Sequence, residues 1–232
     1  MSHKPLMSED EKNRRIEWQN RTYEKHLKCK QRYSVDFDGI EIVVLPTVFA
    51  PEPWELNILA KTVLKEVKET DKVLDMGTGT GIQAICAASK SGDVTAVDVN
   101  PDAVECTKIN AKLNKLSSRV KVVQSDLFEN VSGKFDLILF DPPFRWTKPR
   151  DMWERSCADE NYSTLKQFFA EVKQHLNPGG RVVMHFGTSG DIAFFRRLIR
   201  KNGFKRKQIL KKSGNGWIYF TYRLVVSSKN CV

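Results

Sequence analysis

Val73-Leu74-Asp75-Met76-Gly77-Thr78-Gly79-Thr80-Gly81-Ile82 reads as a strand, a glycine turn and the opening of a helix, with an acid just ahead of the turn. Gly77, Gly79 and Gly81 remove Cβ atoms where the backbone must reverse sharply and come close to a ligand. The amides after the turn open a helix, whose N-terminus carries partial positive charge. The stretch predicts a nucleotide-like cofactor seated at the end of a first parallel strand.

Spacing narrows the cofactor. A dinucleotide fingerprint is G-x-G-x-x-G, whereas the order here is G-x-G-x-G and Ile82 fills the slot of the third glycine. A phosphate-binding P-loop would need Gly-Lys-Ser/Thr, which is missing. Asp75 suits an ammonium group better than a pyrophosphate, and S-adenosylmethionine has an ammonium and no phosphate. At these residues the chain resembles the class I S-adenosylmethionine-dependent methyltransferases, over residues 35–226. The resemblance implies that Gly77, Gly79 and Gly81 line the methionine part of the cofactor and that Asp75 helps fix its amino group.

Outward from this stretch the pattern alternates. Strands are expected at Lys72–Met76, Val94–Asp98, Val120–Gln124, Leu137–Phe140 and Gly180–Phe186, with helices at Gly81–Ser89, Pro101–Asn114, Asn161–His175 and Ile192–Asn202. Strands separated by helices require right-handed crossovers and a parallel sheet covered on both faces. Lys207–Lys211 and Trp217–Val226, joined by Ser213-Gly214-Asn215-Gly216, form a closing hairpin. The expected architecture is α/β: a Rossmann-like, doubly wound, mostly parallel seven-stranded sheet with a C-terminal antiparallel hairpin. Ahead of it, Tyr33–Leu45 reads as a hairpin around Asp38-Gly39, and 54–67 as an amphipathic helix. Residues 1–34 read as an N-terminal helical extension, exposed or loosely packed, and 35–232 as the methyltransferase domain. Ser8 and Glu11 have capping-box spacing at the start of that extension.

Composition bounds the class. The 232 residues suit one domain with a full core. No apolar run approaches the ~20 residues of a membrane helix, and five scattered cysteines without a C-x-x-C suggest reduced thiols in a cytoplasm. The four histidines form no ligand motif, so no metal is expected. Net charge is +10, and residues 192–232 hold eleven Lys/Arg and no acid. That tail is either a solvated surface or a footprint for a polyanion such as RNA.

Four further positions are expected on the cofactor side. Asp98 ends the second strand 21 positions after Gly77, where an acid accepts hydrogen bonds from ribose hydroxyls. Asn100 before Pro101 is the better helix cap, which leaves Asp98 for the ribose. The resemblance implies that Asp126 takes the adenine amino group and that Leu127 lies along the ring. Phe49 sits in Pro46-Thr47-Val48-Phe49-Ala50-Pro51, similar to the P-G-V-F-x-P loop of release-factor glutamine methyltransferases and some RNA methyltransferases. Phe49 is expected either to close over the cofactor or to fill the core.

Leu137-Ile138-Leu139-Phe140-Asp141-Pro142-Pro143-Phe144 is the second motif: an apolar strand ending in an acid, two prolines and an aromatic. The prolines stiffen the corner and remove two amide donors, so acceptors dominate it. Asp141 and the Pro142 carbonyl can each accept one N–H of an NH₂ group, aiming its lone pair, while Phe144 stacks on a planar acceptor. Read without the first motif, the same residues make a strand-ending turn. They resemble the D/N-P-P-F/Y/W signature of amino-group methyltransferases acting on adenine, guanine or protein glutamine. Glutamine enzymes show Asn-Pro-Pro-Tyr, from which Asp141 and Phe144 depart. In the following loop, 145–155, basic and aromatic residues alternate, and Pro143, Arg145, Trp146 and Trp153 are expected to touch substrate. Asn177-Pro178-Gly179-Gly180 reads as a turn and His185 as packing. The expected activity is N-methylation of an exocyclic amine on a nucleic-acid base, RNA ahead of DNA. Protein glutamine, a small molecule, or a non-catalytic cofactor- or RNA-binding role are the alternatives.

Overall fold

The computed structural model describes residues 3–37, 39–49 and 53–227, the side chains of 53–57 excepted. Asp38, Ala50 and Pro51, named above in a turn and a loop, lie outside the described residues, as do the side chains of Trp54 and Leu56. Helix α1 (Glu9–Lys28) precedes a hairpin of β1 (Tyr33–Phe37) and β2 (Ile40–Val44). Then follow α2 (Pro53–Glu66), β3 (Lys72–Met76), α3 (Ile82–Ala88), β4 (Asp93–Asp98), α4 (Pro101–Leu113), β5 (Val120–Gln124) and β6 (Phe135–Phe140). The chain closes with α5 (Ser163–Glu171), β7 (Leu176–Gly187), α6 (Ile192–Lys201), β8 (Phe204–Gly214) and β9 (Trp217–Val226).

Seven strands form one sheet in the order β5-β4-β3-β6-β7-β9-β8. Neighbours from β5 to β7 are parallel, and β9 runs antiparallel to both β7 and β8. Strand order reverses between β3 and β6, because the chain builds outward to β5 and then returns to the other side of β3. In an open α/β sheet that reversal opens a crevice beyond the carboxyl ends of the two strands. Both glycine turn and Asp141-Pro142-Pro143-Phe144 leave the sheet there.

Period two sorts the core into two layers. Leu74, Met76, Ile138, Phe140, Val182 and Met184 face one cluster, which α5 and α6 complete with Leu165, Phe168, Phe169, Phe195 and Ile199. Val73, Leu137, Leu139 and Val183 face the other, packed by Ala60 and Val63 of α2 and by Ile85 of α3. Two expectations change in detail. The helix expected at 161–175 starts only at Ser163, because Asn161 and Tyr162 take left-handed backbone (φ 58° and 55°), and Asp159 caps the new start by accepting from Thr164 and Leu165 amides at 3.0 Å. The Asn177–Gly180 turn sits inside β7 as an irregularity, where the register with β6 shifts. Its tightness is retained, since a Cβ on Gly180 would come 2.9 Å from the Asn177 carbonyl.

The largest departure is α1, expected to be loose. Ser8 and Glu11 close the capping box, and beyond it the helix is docked. Arg15 Nε donates to the Thr188 carbonyl at 2.9 Å, Gln19 Nε2 donates to Glu154 at 2.7 Å, and the Tyr23 hydroxyl donates to Asp151 at 2.6 Å. Arg15 and Gln19 are buried by this docking. The helix is polar and buries polar groups, so its apolar periodicity carried no signal of the contact.

Candidate active site

The crevice is a deep cleft walled by both motifs. Gly77, Gly79, Asp98, Asp126, Leu127 and Phe49 line one part, and Asp141, Pro142, Pro143, Phe144 and Arg145 the other.

The glycine turn is built as expected, with left-handed backbone at Gly77, Gly79 and Gly81 (φ 65°, 55° and 83°). Gly81 stands at the start of α3. It caps α3 rather than lining the cleft, and a Cβ there would come 2.9 Å from the Thr107 side chain. Asp75 likewise lies beneath the cleft rather than in its wall. Its Oδ2 accepts from the Thr78 hydroxyl at 2.7 Å and from the Ala84 amide at 3.1 Å, so it clamps the turn to the first turn of α3. Its Oδ1 is buried without a hydrogen-bond partner. Burial pushes the Asp75 carboxyl up to about 7, against the two hydrogen bonds that favour its charge, and the nearby Asp98 adds to the rise.

Asp98 stands at the cleft edge with each oxygen already held, Oδ2 by the Gly79 amide and Oδ1 by the Asn100 amide, both at 2.9 Å. Desolvation raises its carboxyl too. Asn100 caps α4, accepting from the Asp102 amide at 3.0 Å, as its place before Pro101 predicts. Its Nδ2 also donates to the Thr47 carbonyl at 3.0 Å, and Thr47 bonds to Asp102. These contacts draw the 45–49 segment over the glycine turn, so Phe49 lines the cleft half-buried. Leu127 takes a left-handed φ of 48°. Asp126 is half-exposed and paired with Arg155 Nη2 at 2.5 Å.

Across the cleft, Asp141 is half-buried and Pro142 buried. Phe144 packs against Phe186, His185 and Tyr219 with centroids 5.0, 5.9 and 6.3 Å away. Its carbonyl accepts from the Tyr162 hydroxyl at 2.7 Å, and that hydroxyl in turn accepts from the Asp191 amide. Two glycines make room for it: a Cβ on Gly187 would lie 3.1 Å from the Phe144 ring, and one on Gly190 1.9 Å from the Phe144 carbonyl. His185, read as packing, lines the cleft as well, stacked at 8° on Tyr219 with Nδ1 on the Thr221 hydroxyl. Burial lowers its pKa to about 4, so the ring is neutral near pH 7.

Two residues expected to touch substrate stand outside the cleft lining. Trp146 belongs to the core cluster and does not line the cleft. Trp153 is buried in a stack on His26 (3.9 Å, 7°), with the Tyr23 ring at 6.0 Å and the cleft-lining Phe49 ring at 5.7 Å. Alternation of basic and aromatic residues cannot tell a ring facing a cleft from one facing the interior. The loop is also internally paired, Arg150 to Glu154 and Arg155 to Asp126, so two of its cations are committed within the fold. Trp18, Gly187, Gly190, Arg155 and Tyr219 were missed. Only Gly187-Thr188-Ser189-Gly190, a glycine pair just past an apolar strand, had a local signal.

The Methyltransferase small domain family matches residues 39–189, which contain both motifs. The chain belongs to that family. It is an S-adenosylmethionine-dependent methyltransferase. A Methanocaldococcus jannaschii protein named as a candidate N5-glutamine methyltransferase is 36% identical over 179 residues, 74% of this chain and 88% of that one. The ribosomal RNA small subunit methyltransferase C of Haemophilus influenzae is 28% identical, covering 78% of this chain but 51% of its own length. Among solved structures, Methanocaldococcus jannaschii Trm5 in complex with adenosine superposes with a TM-score of 0.66 over 86% of this chain and 56% of its own, at 20% identity. The relatives place the methyltransferase among enzymes whose named targets include both protein and RNA.

The cleft of the methyltransferase fits its cofactor on the chain's own groups. Asp98 brings a half-buried carboxyl at the end of β4 into the cleft wall, beside Gly77, Gly79 and Leu127. Among the described residues no cluster of three His, Cys, Asp or Glu gathers for a metal, and no helix is long and apolar enough to cross a membrane.

Proposed function

We propose that this methyltransferase modifies an exocyclic amino group of a nucleic-acid base, RNA ahead of DNA. The observation that carries the reading is Asp141 and Pro142 on the same cleft wall as the Phe144, His185 and Tyr219 rings. Two acceptors beside three rings suit a flat acceptor that donates two N–H bonds. Gly77, Gly79 and Asp98 would hold the cofactor, with Phe49 over it, Leu127 along its adenine and Asp126 at the adenine amino group. The cofactor supplies an electrophilic methyl group. Asp141 and the Pro142 carbonyl take the two N–H bonds, turning the nitrogen lone pair out of conjugation and toward the donor. Orientation of this kind accounts for several kcal/mol of barrier. As positive charge grows on nitrogen, the Asp141 carboxylate stabilises it, and the surplus proton leaves after transfer. His185 is neutral, so it adds no like charge to the developing cation.

The second reading, protein glutamine, draws on the archaeal relative that matches 88% of its length. Against it stand Asp141 and Phe144 in place of the Asn and Tyr of glutamine enzymes. Incubation with methyl-labelled S-adenosylmethionine and, separately, total RNA, ribosomes, DNA and a protein extract separates the two. Label in RNA is expected; label confined to protein overturns the nucleobase reading.

A further inference from the structure

Helix α1 lies outside the segment shared with the family, residues 39–189, yet Trp18 from its middle lines the cleft. We propose that Trp18 is an acceptor contact: its indole forms one face of the slot that receives the flat acceptor, so the N-terminal helix completes the transfer site. The assignment rests on the nucleobase reading above.

Three observations carry it. First, the indole is not what fastens the helix. That work falls to its neighbours, Arg15 on the Thr188 carbonyl and Gln19 between Thr147 (3.0 Å) and Glu154 (2.7 Å), both buried, whereas Trp18 is half-exposed and turned into the cleft. Second, the ring is braced. The Arg145 guanidinium lies over one face of the indole, 4.4 Å from its centroid, and the buried Trp217 meets the ring edge-on at 6.1 Å. A ring held on two sides loses little freedom when a ligand stacks on it. Third, Arg145 directly follows Phe144, so the brace couples Trp18 to the motif that holds the amine. An indole beside a guanidinium is the pairing on which unstacked bases are received, through π-stacking and charge together. A flexible glutamine side chain has no ring to use such a surface.

The test uses the whole chain with Trp18→Leu, which keeps an apolar side chain and removes the π face, and with Trp18→Phe, which restores a ring. Wild type is assayed first on RNA and on protein extract. With RNA as acceptor, Trp18→Leu is expected to raise the acceptor KM about 10- to 100-fold, in line with loss of one base stack. S-adenosylhomocysteine affinity by calorimetry and the melting temperature should hold, and Trp18→Phe should recover most of the KM. An unchanged acceptor KM in Trp18→Leu overturns the assignment. So does a loss shared equally by acceptor, S-adenosylhomocysteine and melting temperature, which is the mark of simple packing. Label in protein with none in RNA instead overturns the nucleobase reading, and the acceptor role of Trp18 with it.

Discussion

Asp75 and Asp141 are carboxylates at the carboxyl ends of neighbouring strands, and burial gives them different work. Asp75 is fully buried, with one oxygen spent on the glycine turn and the other without a partner. Its raised pKa, about 7 against an ordinary 3.8, means the folded state holds a proton that the unfolded chain has already lost. The resulting stability is complete below the ordinary carboxylate range and is lost as pH rises through 7. The span corresponds to at most about 4 kcal/mol. Cofactor-free protein should therefore melt at lower temperature at pH 8 than at pH 5, and Asp75→Asn should flatten that slope. Equal pH slopes in the two proteins would show that Asp75 is charged throughout. Asp141 faces the cleft, and its removal acts on the reaction. Asp141→Ala should cut kcat by about 100-fold or more while leaving S-adenosylhomocysteine affinity within about threefold, because the carboxylate acts on charge that develops only in transfer. Full turnover in this variant would remove the orientation mechanism.

The elements around Phe144 show how a motif's position depends on segments distant in the chain. Tyr162, on the left-handed backbone just before α5, holds the Phe144 carbonyl, and Gly187 at the end of β7 and Gly190 beyond it leave space for its ring and carbonyl. A methyl group on Gly190 meets backbone 1.9 Å away, which no rotamer change relieves. Gly190→Ala should cost about 1–3 kcal/mol of stability by overpacking and reduce turnover about tenfold or more by moving Phe144; a thermal melt and a rate together check it. A melt and rate equal to wild type would mean the turn adapts freely. Such contacts explain what was readable in the chain. The parallel sheet, the glycine turn and the Asp141-Pro142-Pro143-Phe144 corner are local patterns of period and spacing, and each stands where expected. The α4 cap was readable too, since Asn100, directly before Pro101 and two residues after Asp98, takes it. Trp146 and Trp153 could not be sorted, since cleft and core both accept a tryptophan. Nor could the docking of α1 be read, because its partners Thr147, Glu154 and Thr188 lie more than a hundred residues away and the contact is polar on both sides.

Charge is the property that spans the fold, and its placement separates the readings of the basic tail. Strand β8 is the sheet's outer edge, and Lys205, Arg206, Lys207, Lys211 and Lys212 on it are all exposed. Register divides them. Lys211 and Lys212 pair opposite Phe220 and Tyr219, beside the cleft, while Lys205 and Lys207 pair opposite Val225 and Arg223, toward the far end of the sheet. Lysines along an edge strand also prevent strand-to-strand aggregation, and that role is indifferent to which end they occupy. Recognition of a polyanion entering the cleft is not indifferent. RNA affinity should fall steeply between 50 and 200 mM salt, with a slope of about −0.7 per phosphate neutralised on a single strand. Lys211→Glu with Lys212→Glu should weaken binding and lower that slope by about one to two phosphates' worth, whereas Lys205→Glu with Lys207→Glu should leave both near wild type. If the two double variants behave alike, the cations serve solubility and edge protection, and a flat salt dependence in wild type would direct the search toward a protein or small-molecule acceptor.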